Sequence, residues 1–136
     1  MSTDPVSEKS AASVLMVDGD VIARHAIGDY LRHCGYSVVE AATVDEAYIA
    51  LVEPSLSIDI ILCEVSALGP QSGFQLATWV RANRPELEVK LVGGEEKAAE
   101  TAADLCESGP HLARPYEPEA LVDYIKRLRA GRHSSG

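Results

Sequence analysis

Three carboxylates, Asp18, Asp20 and Glu64, stand where two apolar runs stop. Val14-Leu15-Met16-Val17 halts at Asp18-Gly19-Asp20, and the run within Ile58 to Cys63 halts at Glu64. Apolar runs this short do not fill a buried helix and suit strands covered on both faces. In open α/β sheets, ligands bind outside the carboxyl ends of the strands. Two strands bringing acids to one rim therefore predict a small acidic pocket formed by Asp18, Asp20 and Glu64. Asp18-Gly19-Asp20 would repel an anion, and no glycine-rich loop is present there to cradle a phosphate. The plainer reading makes each acid a polar stop, with Asp18 or Asp20 capping the next helix.

The elements that must hold these acids alternate along the chain. A strand at Val14–Val17 leads to a helix from about Val21 to Cys34, where Ile22, Ala23, Ala26, Ile27, Tyr30 and Leu31 repeat at helical spacing. Gly35 is placed to end it with a left-handed cap. A strand at Tyr36–Val39 precedes a helix Val44–Glu53, with Thr43 and Glu46 in the capping-box pattern and Pro54 as the stop. The strand Ile58–Cys63 opens into the loop Val65 to Gly73. Gly73 starts a helix whose Phe74, Leu76, Ala77 and Val80 are expected to face inward, with Trp79 at the margin of the core. A strand Glu88–Val92, a helix Glu95–Cys106, a short strand at Leu112–Ala113 and a last helix from Glu117 complete the series. In that last helix Leu121, Val122, Ile125 and Leu128 are expected to face the core, and Lys126, Arg127 and Arg129 suit the negative end of the helix dipole. Alternation of this kind predicts a parallel five-stranded sheet with helices on both faces. Residues 1–12 are expected to be a flexible lead, 13–130 the domain and 131–136 a flexible tail.

With 136 residues, 46% of them hydrophobic, the chain is expected to close one ordinary core. A formal net charge of −9 disfavours nucleic acid and anionic membrane surfaces. The polar start reads as no signal peptide, and no stretch is long and apolar enough to span a bilayer. Cys34, Cys63 and Cys106 form no C-x-x-C pair and read as structural thiols. A cytoplasmic location is expected. The four histidines lack the spacing of metal ligands.

The chain resembles receiver domains of two-component response regulators. The likeness covers roughly Ser13 to Arg129 and rests on order: acids after the first strand, an acid after the third, and Arg114-Pro115-Tyr116 after the fifth. The resemblance implies the flavodoxin-like fold, strand order 2-1-3-4-5, an arrangement for which a receiver protein is itself a standard example. In that family two adjacent acids and an aspartate hold Mg²⁺, and the aspartate accepts a phosphoryl group from a histidine kinase. A hydroxyl residue and a lysine bind the phosphoryl oxygens, and an aromatic residue moves as the switch completes. Here Asp18 matches the first acid and Gly19 replaces the second. Glu64 replaces the phosphoacceptor, Gly93 the hydroxyl residue, Arg114 the lysine and His111 the aromatic residue.

These changes matter because phosphoryl transfer rests on positioning and charge neutralisation. Glutamate reaches about 1.5 Å further than aspartate, and a misplacement of about 1 Å can cost on the order of a hundredfold in rate. Two accounts follow. In one the site is retired, and Arg114 neutralises Asp18 and Glu64 through charge-assisted hydrogen bonds. In the other Glu64 imitates a phosphorylated aspartate, incompletely, because a carboxylate carries less charge than a phosphate. Either yields a non-enzymatic, cofactor-free module whose partner is a signalling protein, a histidine kinase or an output protein. The resemblance places that partner on the last two helices and strand five, near Glu100, His111 and Tyr124. The alternatives are a working receiver phosphorylated on Glu64 with Mg²⁺ held by Asp18 and Asp20, and a flavodoxin-like small-ligand binder.

Overall fold

The first apolar run becomes β1 (Ser13–Val17), in which Val14 to Val17 have no exposed surface. In the computed structural model of the chain, the structure describes residues 12–65, 72–108 and 115–135. The remaining strands are β2 (Ser37–Ala41), β3 (Ile60–Glu64) and β4 (Glu88–Val92), and all pairings are parallel in the order β2-β1-β3-β4. Val17 pairs with Ala41 on one side and Cys63 on the other, so the ends of β1 and β3 finish level and bring Asp18 and Glu64 to one rim.

The helices are α1 (Val21–His33), α2 (Val44–Val52), α3 (Gly73–Asn83), α4 (Glu95–Glu107) and α5 (Pro118–Ser135). Alternate residues of β1 face opposite cores. Val14 and Met16 pack with α1, α4 and α5, whereas Leu15 and Val17 pack with α2 and α3. Right-handed crossovers explain the seats of the first three helices: α1 moves the chain from β1 to β2, while α2 and α3 move it the opposite way across the sheet. A further strand beyond β4 would put α4 beside α2 and α3 by the same rule. Instead α4 lies with α1. The described sheet has four strands, so the expected five-stranded order is corrected to four. The fifth strand expected at Leu112–Ala113 lies outside the described residues.

Local chemistry accounts for the boundaries. After α1, Gly35 takes φ 98°, its N–H reaches the Arg32 carbonyl at 3.0 Å, and the Tyr36 N–H reaches that of Leu31 at 3.2 Å. This is the Schellman arrangement, and it explains why Tyr36 is excluded from β2. Thr43 caps α2 through the Glu46 N–H at 3.0 Å, but the Glu46 side chain reaches back to Ala42 rather than to Thr43. A complete capping box stands instead on α3, between Ser72 and Gln75.

Phe74, expected inside, is 61% exposed because the inward positions of α3 belong to Gly73, Leu76 and Val80. Trp79 does sit at the core margin, edge-on to Tyr48 with ring centroids 5.3 Å apart. Leu121, Val122 and Ile125 are buried, whereas Leu128, expected inside, is exposed because it lies beside Val21 and Tyr124 at the rim of a surface hollow. Helix α5 continues through Gly131 to Ser135, past the expected start of a flexible tail. Cys34 and Cys106, expected as separate thiols, are joined as a disulfide, and Cys63 is free and buried. Their usage thus no longer argues for a reducing compartment. Among the described residues no helix is long and apolar enough to cross a membrane.

Gly35→Ala is expected to destabilise the fold by about 1–2 kcal/mol, the cost of a Cβ in left-handed backbone. Urea denaturation should show a lower midpoint at unchanged slope.

Candidate functional site: an acidic pocket bridged by Arg129

Asp18, Asp20 and Glu64 meet as the sequence predicts, in a pocket of about 180 Å³ that Ala23, Gly94, Glu95 and Arg129 complete. Each acid has a different environment. Asp18 is only 6% exposed, and its Oδ1 accepts the Asp20 N–H at 2.9 Å. Burial pushes its pKa up from 3.8 to about 6; the Asp20 N–H opposes the rise, and the charges of Glu64 and Asp20 add to it. The Asp18 main chain is fixed from two sides. Its N–H donates to Ala41 at 3.0 Å, and its carbonyl accepts from Arg24 Nη1 at 3.0 Å. Arg24 is itself oriented by Glu40, with Nε 3.2 Å from Oε1.

Asp20 is the N-cap of α1, its Oδ1 accepting the Ile22 and Ala23 N–H groups at 3.0 and 3.3 Å. Its Oδ2 pairs with Arg129. Burial works to raise the Asp20 pKa, but the hydrogen bonds from Arg129, Ala23 and Ile22 and the guanidinium charge bring it below the usual value. Arg129 also binds Glu95, Nη1 to Oε1 at 2.7 Å, so one guanidinium bridges the cap of α1 and the first turn of α4. Glu64 is half-buried at the end of β3. With Asp18 it adds to the effect of burial on Cys63, whose thiol is pushed up to about 12.

The remaining predicted positions divide. Gly93 directly follows β4, next to the pocket-lining Gly94, and a Cβ built there meets nothing within 4 Å. Gly94, at φ 117°, caps α4 without a side-chain hydrogen bond. Arg114, His111 and the loop from Ser66 to Gln71 lie outside the described residues. The described cation of the pocket is Arg129, which the sequence reading assigned to the helix dipole. No local signal ties it to Asp20, 109 positions away. Glu95 was likewise read only as the start of a helix.

Magnesium requires a near-octahedral set of oxygens. Gly19 offers no carboxylate, Asp20 has both oxygens engaged, and Asp18 is buried with one oxygen engaged. Among the described residues no three His, Cys, Asp or Glu side chains are disposed to hold a metal ion. These residues do not fit Mg²⁺.

A group whose folded pKa is raised binds more protons folded than unfolded. Asp18 therefore contributes stability that is present below pH 3.8 and lost as the pH rises through about 6. Asp18→Asn, which keeps an acceptor for the Asp20 N–H, is expected to be more stable than the parent near pH 7 by on the order of 1–3 kcal/mol. The gap should close near pH 4. Paired urea melts at the two pH values check this, and a less stable variant at neutral pH would show that the ionised form is favoured.

The comparisons with known proteins agree with this geometry. The family profile of the response regulator receiver domain matches residues 14–126. The response regulator protein FleR of Pseudomonas aeruginosa is 30% identical over 90% of this chain, which covers 25% of FleR. The transcriptional regulatory protein AruR of the same organism is 27% identical over 90% of this chain, covering 53% of its own length. The chain thus spans about a quarter to a half of these relatives. Among solved structures, a CheY-like receiver domain protein from Methanospirillum hungatei superposes with TM-score 0.57 at 21% identity, covering 93% of this chain and 99% of that one. CheY4 of Vibrio cholerae gives TM-score 0.56 at 24% identity, covering 87% and 98%. A pocket at the ends of β1 and β3, a parallel α/β sheet and a family match over nearly the whole chain place this protein in the response regulator receiver domain family of two-component signalling.

Proposed function

We propose that this receiver domain is a pseudo-receiver: a non-enzymatic cytoplasmic module that signals by binding a protein partner and does not accept phosphate. The observation that carries the reading is the double engagement of Asp20, as helix cap and as partner of Arg129. It removes the carboxylate best placed to replace the one missing at Gly19. An incoming phosphoryl group would face Asp18, Asp20, Glu64 and Glu95 around the pocket, with Arg129 the cation lining it among the described residues. That balance repels the anion it would have to stabilise.

The partner's face follows from the packing of α4 against α5. Glu96, Glu100, Glu119 and Asp123 rim a groove of about 220 Å³ over Val122 and Pro118. Such a groove suits a basic surface on a signalling protein, and charge complementarity would speed encounter and set orientation. Tyr124 points elsewhere, into a hollow against α1 shared with Val21, His25 and Leu128. The acidic groove thus supports an output face that includes Glu100, while His111 lies outside the described residues.

The test is exposure to acetyl phosphate and Mg²⁺ followed by intact mass. No phosphate is expected on the parent or on Glu64→Asp, which restores the reach of the acceptor but not the rest of the constellation. Gly19→Asp/Glu64→Asp/Gly93→Thr, the last change entering open space, is expected to gain far more than the sum of its parts. A hydroxylamine-labile phosphate on the parent chain would instead establish a working receiver that uses Glu64.

A further inference from the structure

Cys34 and Cys106 are 72 positions apart in sequence, both fully buried, with Cα atoms 5.3 Å apart and sulfurs bonded. That Cα separation is ordinary for a disulfide. Cys34 is the C-cap of α1, and Cys106 belongs to the last turn of α4. The bond matters because of how α4 meets the core. Its buried face is Ala98, Ala99, Ala102 and Ala103, ended by Leu105 and Cys106. Small side chains interlock shallowly with their neighbours, so they specify the position of a helix along its axis only weakly. The upstream attachment, Gly93-Gly94, has open space around both residues and no side-chain cap. Strong ties act at the two ends: Glu95 to Arg129 at the start, and the disulfide with the Tyr36 hydroxyl on the Leu105 carbonyl, at 2.7 Å, at the finish.

We propose that Cys34 and Cys106 are a thiol–disulfide couple that switches α4 between a pinned and a released state, with a low-molecular-weight disulfide such as oxidised glutathione as the oxidant. The consequence for signalling rests on the reading that Glu96 and Glu100 of α4 belong to the partner's face. The chemistry is closed. When the last turn of α4 opens, the Cys106 thiolate attacks one sulfur of the oxidant and expels one glutathione thiolate. The Cys34 thiolate then attacks the Cys106 sulfur of the mixed disulfide and expels the second. Two electrons pass from the protein sulfurs to glutathione, and the two protons lost by the protein thiols end on the two glutathione thiols. Cys63 takes no part. It lies in the opposite core, packed with β1, α2 and α3, and burial keeps its thiol protonated. In a reducing compartment such a bond forms transiently, which is how cytosolic disulfides usually act when they sense redox state.

The test uses the full chain equilibrated with oxidised glutathione. After denaturation without reductant, a thiol reagent should find one reactive thiol, Cys63, and three after reduction. Three thiols before reduction would overturn the couple. Hydrogen exchange then reads the switch: α4 amides should exchange about tenfold faster in the reduced protein while β1 and β3 are unchanged. Cys34→Ser/Cys106→Ser should behave as the reduced protein and ignore glutathione, and if it fails to fold the reduced parent carries the test. Equal exchange in both states, or a uniform increase over the whole fold, would overturn the switch. Both readouts are independent of phosphate, so failure here and failure of the pseudo-receiver reading are separable.

Discussion

One guanidinium, that of Arg129, holds together what the sheet alone would leave apart. Parallel strands bring Asp18 and Glu64 to the rim by register, and helices α1 and α4 begin there with Asp20 and Glu95. Carboxylates gathered this closely repel one another and resist burial. A planar fork with five donors can satisfy two of them at once, which a compact ammonium does less well. Arg129 does this from the second-last turn of α5, so the pocket closes only when α5 has docked. The acids and the last helix are thereby made interdependent.

That dependence agrees with the uneven distribution of helices. Three lie on one face of the sheet, α1, α4 and α5, and two on the other. The crossover rule accounts for α1, α2 and α3 but not for α4, which no strand beyond β4 draws to the α2–α3 face in the described structure. What holds α4 beside α1 is local: alanines that permit close approach, the Tyr36 hydroxyl, the Cys34–Cys106 bond and the Glu95–Arg129 pair. The acidic groove over Val122 exists only because α4 and α5 are neighbours there.

Most of the scaffold was legible because its signals are local. The apolar runs of β1 and β3, the glycine after α1, the cap at Thr43 and the proline after α2 each act within a few residues, and the structure uses all of them. The convergence of Asp18, Asp20 and Glu64 was legible too, since strand ends in a parallel sheet share a rim. The failures have another physical origin. Phe74 was placed inside by period, but the turn that begins at Ser72 rotates the inward positions to Gly73, Leu76 and Val80. The Ser72–Gln75 box sets where the helix begins, one residue ahead of Gly73. Arg129 with Asp20, and Cys34 with Cys106, depend on how α4 and α5 dock, and nothing within a window of a few residues encodes that docking.

Retaining a buried acid while losing the acid next to it is physically coherent. Asp18 is held at the rim by its neighbours' main chains, through Ala41, Asp20 and the Arg24 bond to its carbonyl, so its place is specified whether or not it is charged. A second carboxylate at position 19, without a metal, would add to the negative charge beside Asp18, while Arg129 is already shared by Asp20 and Glu95. Glycine removes that repulsion. Arg129, paired with both Asp20 and Glu95, supplies from within the chain part of the attraction a divalent ion would bring from outside. A pocket that already holds a cation of its own depends less on a divalent ion to keep its acids together.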